Sequence, residues 1–263
     1  MTELCCLRLA ALSSFEQSST ELEVLCGIRV SPSTVERTVQ RNPISAVESE
    51  TKVSEIALDG GMVRLRTPKG EPAAWKEYKA VRLNGDGDGS AWFKDNPSLL
   101  LWTQQLVWAS LVHCLGDGHC GVWSLFAQMG SLRQRDEILD WFHLKENLHK
   151  VGGSLKRLNQ AEALLWKGQV DAAMALFEGL KKDQARKFGN YLDEHRGRIP
   201  NYDDYQSKGI PIGSGSVESL VKQIDQRLKI TGASWQPERV PQMLALRCAY
   251  INDKLDLYSL ASG

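Results

Sequence analysis

The chain has 263 residues, of which 42% are hydrophobic and 24% are charged, and both fractions are close to those of soluble globular proteins. This composition argues against a disordered chain and against a membrane protein, while the length allows one large domain or two smaller ones. The 32 basic and 32 acidic residues give a formal net charge of zero. An overall basic charge, which is usual in nucleic-acid-binding proteins, is therefore missing.

Cysteine usage and the N-terminal apolar pattern indicate a cytoplasmic protein. Two of the six cysteines, Cys5 and Cys6, are adjacent, and the chain is too long for a small disulfide scaffold. We therefore expect reduced thiols. The apolar run at residues 4–12 is interrupted by Arg8, which argues against a signal peptide, a membrane-spanning helix and a membrane partner.

The N-terminal region is predicted to be helical. Residues 9–25 follow a helical period, and a second helix is predicted over residues 31–41, with serine as its N-cap and proline in its first turn. The turn between them contains Gly27. This pattern is typical of a helical hairpin that packs on the main domain, and Arg37 and Arg41 keep a DNA-reading helix-turn-helix open as the alternative.

Two strands are predicted after the N-terminal helices. Residues 53–66 alternate between apolar and polar side chains, and Gly60-Gly61 within them predicts a bend or bulge. Residues 75–83 form the second strand. The glycine- and aspartate-rich residues 84–89 favour a hairpin turn over a calcium loop, because no glutamate follows at the spacing that a calcium loop requires.

The middle of the chain combines strands with a long helical block. A helix is predicted over residues 97–109, a buried strand over 111–115 and a short strand over 137–142. Four helices are predicted next, over residues 144–151, 154–166, 170–180 and 183–195. Strands followed by a block of helices predict an α/β core that carries an all-helical insertion.

The C-terminal region is predicted to contain two further helices. The first follows Gly213-Ser214-Gly215-Ser216 and places one apolar face, spaced at helical intervals, against the sheet. Its glycine- and serine-rich start resembles a phosphate cradle, although helix capping explains the serines more simply. The last helix is predicted over residues 239–258, and Trp235 before it is either a core residue or a base-stacking residue.

Three carboxylates stand in contexts that suit metal-dependent phosphoryl transfer. Asp59 is predicted late in one strand, Asp117 follows another strand, and Glu218 opens the amphipathic helix. Two-metal catalysis needs several converging carboxylates, because Mg²⁺ prefers hard oxygen ligands and must keep positions for phosphate and water. Glycines beside these acids would let a nucleic-acid backbone come close.

Four segments of the chain resemble insertion-sequence transposases of the Kra group, and the resemblance covers nearly the whole chain. The segments are Ile-Ala-Leu-Asp-Gly at 56–60, Cys-Leu-Gly-Asp-Gly at 114–118, Ile-Leu-Asp-Trp-Phe-His at 138–143 and Ile-Gly-Ser-Gly-Ser-Val-Glu-Ser at 212–219. The resemblance implies a DDE transposase with an RNase H-like mixed-sheet core, in which Asp59, Asp117 and Glu218 form the catalytic triad. It also implies two divalent metal ions held by these acids, Mg²⁺ with Mn²⁺ as a substitute.

The resemblance also implies the partners and the division of the chain. The partners would be double-stranded DNA, namely transposon terminal inverted repeats and target DNA, bound by a nucleoid-associated homo-oligomer. We expect an N-terminal helical region at 1–50, the first part of the catalytic core at 51–143, the helical insertion at 144–200 and the rest of the core at 201–263. The insertion accounts for the long interval between the second aspartate and the glutamate.

Further residues are predicted to bind DNA or to assist catalysis. Lys222, Arg227 and Lys229 lie along the glutamate-bearing helix, and Lys156 and Arg157 lie in the insertion; all are candidate phosphate contacts, with a solvated helix face as the alternative.

Asp140 and His143 form a D-x-x-H motif, which either assists catalysis or orients the end of the strand. The pairs His113-Cys114 and His119-Cys120 suggest zinc less well, because adjacent residues on a strand point to opposite faces.

Three other interpretations remain open. The chain could be a truncated or inactive transposase remnant that at most binds DNA, since it begins close to the helix pair and the segment 83–97 is short for a third strand. It could also be a nuclease of the RNase H type, which would cleave DNA without joining ends. A helical interaction protein is the weakest interpretation, because it leaves the placement of the acids unexplained.

Overall fold

The computed structural model describes residues 2–46, 49, 51–85, 87–180 and 182–255. The strands are β1 (Val53–Leu65), β2 (Ala74–Leu83), β3 (Gly89–Phe93), β4 (Trp108–Gly116) and β5 (Arg135–Leu139). The helices are α1 (Thr2–Leu12), α2 (Phe15–Cys26), α3 (Pro32–Arg41), α4 (Asn96–Gln104), α5 (Cys120–Phe126), α6 (Trp141–Lys150), α7 (Leu155–Trp166), α8 (Val170–Ala175), α9 (Asp183–Glu194), α10 (Tyr202–Ser207), α11 (Gly215–Leu228) and α12 (Val240–Ile251).

The predicted α/β class is confirmed. The five strands form one mixed sheet in the order β3-β2-β1-β4-β5. Strand β4 runs parallel to β1 and to β5, whereas β2 and β3 form an antiparallel hairpin. The chain divides into two compact units, and the division falls within β1: unit 1 is Met1–Lys52, Asp59–Val107 and Ser216–Gly263, and unit 2 is Val53–Leu58 and Trp108–Gly215.

Helices α1, α2 and α3 pack on one another in unit 1, and α12 packs on α1 and α3. The prediction of one helix over residues 9–25 is wrong, because the helix is interrupted at Ser13-Ser14, between α1 and α2. Ser14 caps α2 by accepting a hydrogen bond from the Gln17 amide. The predicted start of α3 is confirmed, since Ser31 accepts from the Thr34 amide and proline occupies the first turn.

Strand β1 continues through its two glycines, and the side chain of Tyr78 explains why the second residue is glycine. A Cβ atom on Gly61 would lie 2.2 Å from Cζ of Tyr78, which is fully buried. The Tyr78 hydroxyl donates a hydrogen bond of 2.8 Å to Asp225 of α11. In the pairing of β1 with β4, the register irregularity lies between Val53 and Glu55 rather than at the glycines.

Replacing Gly61 by Ala is expected to destabilise unit 1. The added methyl group overlaps the Tyr78 ring, and overpacking of a buried position typically costs about 1–3 kcal/mol. Urea denaturation followed by far-UV circular dichroism measures this loss. Gly189→Ala in α9 is the control, because nothing lies within 4 Å of its added Cβ and alanine favours helices. Equal stability of the two variants would contradict the packing role of Gly61.

The β2–β3 hairpin shows that the segment at 83–97 does contain a strand, so the expectation that it is too short is wrong. Strand β3 has five residues, and its first residue pairs with Arg82. Asn252, which directly follows α12, fixes Gly89: its side-chain amide donates to the Gly89 carbonyl at 2.7 Å, and its side-chain carbonyl accepts from the Gly89 amide. Asp86 in the predicted turn lies outside the described residues.

Two predicted element boundaries near β4 and β5 are wrong. Helix α4 ends at Gln104, and Trp108 already pairs with Val53 in the sheet, so strand pairing overrides the helical pattern at residues 105–109. Strand β5 ends at Leu139 and the next residue caps α6, so residues 141 and 142 are helical. Helix α5, between these strands, was not predicted.

The helical block of unit 2 follows the predicted order, with α8 ending earlier than expected at Ala175. An aromatic cluster of Trp141, Trp166 and Tyr202 anchors it, with ring centroids 4.9 to 6.1 Å apart. The Tyr202 hydroxyl donates to the Leu139 carbonyl at 2.8 Å and thereby ties the block to the end of β5.

The last helix is shorter than predicted. Helix α12 ends at Ile251, where Asn252 and Asp253 turn the chain, and residues 256–258 of the predicted helix lie outside the described residues. Across the described residues, the helices are too short or too polar to cross a membrane.

Candidate functional site

The carboxyl ends of β4 and β5 bring two of the predicted acids to one edge of unit 2. Gly116 pairs with Leu139 in this parallel ladder, and the Asp140 amide donates to the Gly116 carbonyl at 2.9 Å. Asp117 and Asp140 directly follow these paired residues. The carboxyl ends of parallel strands are a common position for ligand-binding residues in α/β proteins.

Asp59 lies within β1, two residues beyond the last residue of this strand that pairs with β4. Ala57 pairs with Leu115 in register, and Asp59 and Asp117 each come two residues after these paired positions. Asp59 is half-buried, and its Oδ1 accepts a hydrogen bond of 2.6 Å from the Gly60 amide.

Asp117 lies in a tight loop between β4 and α5. Its Oδ1 accepts from the His119 amide at 2.9 Å, and its Oδ2 makes no hydrogen bond within the described residues. Gly118 has a φ of 94°, in the left-handed region that favours glycine, and a Cβ there would lie 2.7 Å from the Tyr191 hydroxyl oxygen. The half-buried carboxylate thus keeps one hard oxygen for a ligand, as Mg²⁺ requires.

Asp140 is fully buried and is held on both carboxylate oxygens. Oδ1 accepts from the His143 amide at 2.8 Å, and Oδ2 accepts from the amide and the hydroxyl of Ser214. Burial alone would raise the pKa of Asp140, but the hydrogen bonds from His143 and Ser214 lower this pKa below its ordinary value. Asp140 therefore stays ionised and joins the end of β5, the start of α6 and the segment before α11.

His143 completes the D-x-x-H motif one turn into α6. Its Nδ1 lies 3.3 Å from Asp140 Oδ1, and about a third of its side chain is exposed. The two residues could therefore contribute ligand atoms to a metal ion. Because the carboxylate of Asp140 already caps a helix and holds Ser214, the geometry favours an orienting role for this aspartate.

Ser214 and His195 were not singled out by sequence reasoning as partners of this edge. The serines before α11 were expected to cap it, whereas the Ser214 hydroxyl donates to Asp140. His195 is buried beside the Asp117 loop, with its ring 4.6 Å from that of Tyr191 and 6.0 Å from that of Trp123, centroid to centroid. Ser214 directly precedes α11, in the Gly-Ser-Gly-Ser segment, and His195 directly follows α9, so both reach this edge from segments far away in the sequence.

Unit 2 is expected to lose stability as the pH falls below the ordinary histidine pKa of 6.5, because of His195. Burial lowers the pKa of His195 in the folded chain, so below pH 6.5 the unfolded chain binds the proton more readily. The contribution of the neutral ring to the free energy of unfolding is present above pH 6.5 and is lost as the pH falls below it. Urea denaturation between pH 7.5 and 5.5 measures the slope of the free energy of unfolding against pH.

The His195→Phe variant is the control for this pH dependence. The variant keeps an aromatic ring and removes the titrating group, so it should flatten the slope between pH 7.5 and 5.5. A slope as steep as that of the wild type would contradict the assignment to His195.

Glu218 lies in unit 1, in the first turn of α11, and about 30% of its side chain is exposed. Lys222, one turn later, approaches its Oε2 at 3.7 Å. Helix α11 is fixed from two sides, because Tyr78 donates to Asp225 and Arg247 donates to the Gln223 carbonyl at 2.8 and 3.0 Å. The predicted apolar face of this helix is buried.

The five predicted DNA-contacting residues fall into two groups. Lys222 and Lys229 are bound to carboxylates one turn before them on α11, and Lys156 is exposed on α7 beside the half-buried Arg157. Arg227, in contrast, is buried within unit 1. The structure therefore places four of the five on accessible surfaces and one in the interior.

Several other predicted features have simpler roles. Trp235 is buried, and its indole N–H donates to the Leu228 carbonyl at 2.9 Å, so it is a core residue. His113 binds Asp136 at 2.9 Å, while Cys114 is buried. Burial raises the pKa of Cys114 to about 12, which disfavours the thiolate that zinc requires.

Scans of this chain against protein-family models and against curated protein sequences found no match.

Proposed function

We propose that this chain is the catalytic part of a DDE-type DNA transposase with an RNase H-like core, which cleaves DNA at insertion-sequence ends and joins them to target DNA. The observation that carries the proposal is the carboxyl edge of the parallel strands. Asp117 and Asp140 directly follow paired residues of β4 and β5, and Asp59 follows the paired part of β1 by the same offset as Asp117.

The chemistry of these residues supports the proposal. Asp59, Asp117 and, by the resemblance, Glu218 would hold two divalent metal ions, Mg²⁺ or Mn²⁺. When bound, the metals lower the pKa of water or a DNA 3′-hydroxyl and stabilise the leaving oxygen. The half-buried Asp117 carboxylate suits this role, since one oxygen is oriented by the His119 amide and the other is available.

The surrounding residues would keep the acids in position. Asp140 fixes the end of β5 through His143 and Ser214, and Tyr78 fixes α11 through Asp225. Lys222 and Lys229 on α11, and Lys156 and Arg157 on α7, would bind DNA phosphates. Because synapsis of two DNA ends needs two active sites, we propose that the chain assembles as a homo-oligomer on DNA.

A cleavage assay tests the proposal. End-labelled DNA with the candidate ends of the element is incubated with the protein and Mg²⁺, Mn²⁺ or EDTA. Metal-dependent cleavage that leaves a 3′-hydroxyl is expected, since that hydroxyl is the nucleophile for joining. DNA binding without cleavage under any metal would instead indicate a remnant that only binds DNA.

A further inference from the structure

Unit 1 contains a polar pocket of about 420 Å³ that lies among α2, α3, the end of β1 and the segment after α11. Its lining includes Phe15, Arg66, Arg227, Trp235 and Arg239. None of these residues belongs to the three acids or to the D-x-x-H motif. Pockets of this volume are large enough for a small organic ligand.

Arg227 is the unusual residue of this pocket. Its guanidinium lies between two aromatic rings, with Cζ 5.2 Å from the centroids of Phe15 and of Trp235. Its Nε donates to the Ala10 carbonyl at 2.6 Å, while its buried Nη2 has no hydrogen-bond partner within the described residues. Only 2% of the residue is exposed.

The electrostatic setting of Arg227 favours binding of an anion beside it. Burial and the neighbouring charge of Arg247 lower the pKa of Arg227 to about 10, and among the described residues no carboxylate offsets them. A buried guanidinium with an unsatisfied N–H group costs free energy unless a counter-charge binds it. The side chain lines a polar pocket, so a ligand within that pocket can supply the charge.

The rest of the pocket adds positive charge. Arg66 is exposed at the rim, and Arg239 forms an ion pair with Glu36, the acidic residue of the lining. Arg66 and Arg227 therefore have no acidic partner among the described residues that line the pocket. Arginine binds the oxygens of phosphate through paired hydrogen bonds, and the planar guanidinium suits this geometry.

We propose that this pocket binds the phosphate group of a nucleotide unit, with Arg227 and Arg66 as its donors and the edge of Phe15 beside the attached nucleoside. The proposal is independent of the catalytic acids. A bound phosphate would offset the free-energy cost of burying Arg227 between two aromatic rings.

Isothermal titration calorimetry of the full chain tests this proposal. We expect 5′-dTMP to bind and thymidine, which lacks the phosphate, not to bind. Arg66→Ala should weaken dTMP binding about tenfold, the effect of losing one charge-assisted hydrogen bond. The matched control is Arg64→Ala, which removes an exposed arginine two residues earlier that does not line the pocket, and it should bind as the wild type does.

Further variants and ligands separate the outcomes. Arg227→Lys should abolish dTMP binding. Because Arg227 is buried, this substitution can also disturb folding, so Arg66→Ala at the exposed rim is the decisive variant. Asp117→Asn should bind dTMP normally, so failure of the transposase proposal and failure of this one are distinguishable.

A single-stranded oligonucleotide that binds more tightly than dTMP identifies a nucleic-acid strand as the phosphate source, and equal affinity identifies a free nucleotide. Equal binding of dTMP and thymidine, equal effects of the Arg66 and Arg64 variants, or no binding of dTMP would overturn the proposal.

Discussion

Replacing Asp117 by Asn is expected to slow metal-dependent DNA cleavage by about a thousandfold while leaving DNA binding intact. The amide keeps the shape of the side chain and can still accept from the His119 amide, but it removes the negative charge that would hold a divalent metal. Metal ions stabilise charge in the transition state by several kcal/mol, and about 4 kcal/mol corresponds to a factor of about a thousand in rate. Single-turnover cleavage of end-labelled DNA measures the change.

The matched control for Asp117→Asn is Asp193→Asn in the same unit. Asp193 is 69% exposed on α9 and pairs with Arg196, so loss of its charge should leave the cleavage rate unchanged. Circular dichroism and gel-shift assays confirm that both variants fold and bind DNA. Cleavage by the Asp117 variant at the wild-type rate would refute the role of this acid.

Replacing Asp140 by Asn is expected to lower the free energy of unfolding by about 2–3 kcal/mol, the cost of leaving buried hydrogen-bonding groups unsatisfied. Both carboxylate oxygens accept hydrogen bonds, one from His143 and the other from Ser214. In asparagine, the amide NH₂ group replaces one acceptor and must face one of these donors. Urea denaturation at pH 7 measures the loss.

Asp183→Asn is the control for Asp140→Asn. Asp183 opens α9, as Asp140 precedes α6, but its side chain is 56% exposed and pairs with Arg186 and Lys187 on the surface. Its replacement should cost less than about 0.5 kcal/mol, as is usual for exposed charges. If both variants lose the same stability, the buried network around Asp140 does not hold the edge of the sheet.

The α/β class, most helices and four of the five strands follow from hydrophobic periodicity and from capping residues. Ser31 followed by proline marked the start of α3 because both residues satisfy the geometry of a first turn. The alternation of apolar and polar residues likewise predicted β1 and β2. These features are local, so the sequence carries them directly.

The features that the sequence did not reveal depend on distant contacts. Strand β3 is short and is held by Asn252, which directly follows α12, and no local sequence pattern predicts this contact. The end of α4 is set by the pairing of Trp108 with Val53. The partnership of Ser214 with Asp140, and the burial of Arg227 between two aromatic rings, join segments that are far apart in the chain.

The sequence alone identified some of the candidate acids but not their roles. Asp59 stood out within a predicted strand and Asp117 directly after another, each beside a glycine, and the parallel register of β1 and β4 is compatible with that interpretation. The capping role of Asp140 was not distinguishable from catalysis in the sequence, because a D-x-x-H spacing suits both an N-cap and a ligand pair.

A strand-transfer assay tests the central proposal most directly. DNA with pre-cleaved candidate ends and a target plasmid are incubated with the wild-type protein and Mg²⁺, and joined products are separated by electrophoresis. Metal-dependent joined products are expected from the wild type and none from Asp117→Asn. Cleavage without joining would indicate a nuclease, and binding without any chemistry would indicate a remnant; either result would contradict the transposase function.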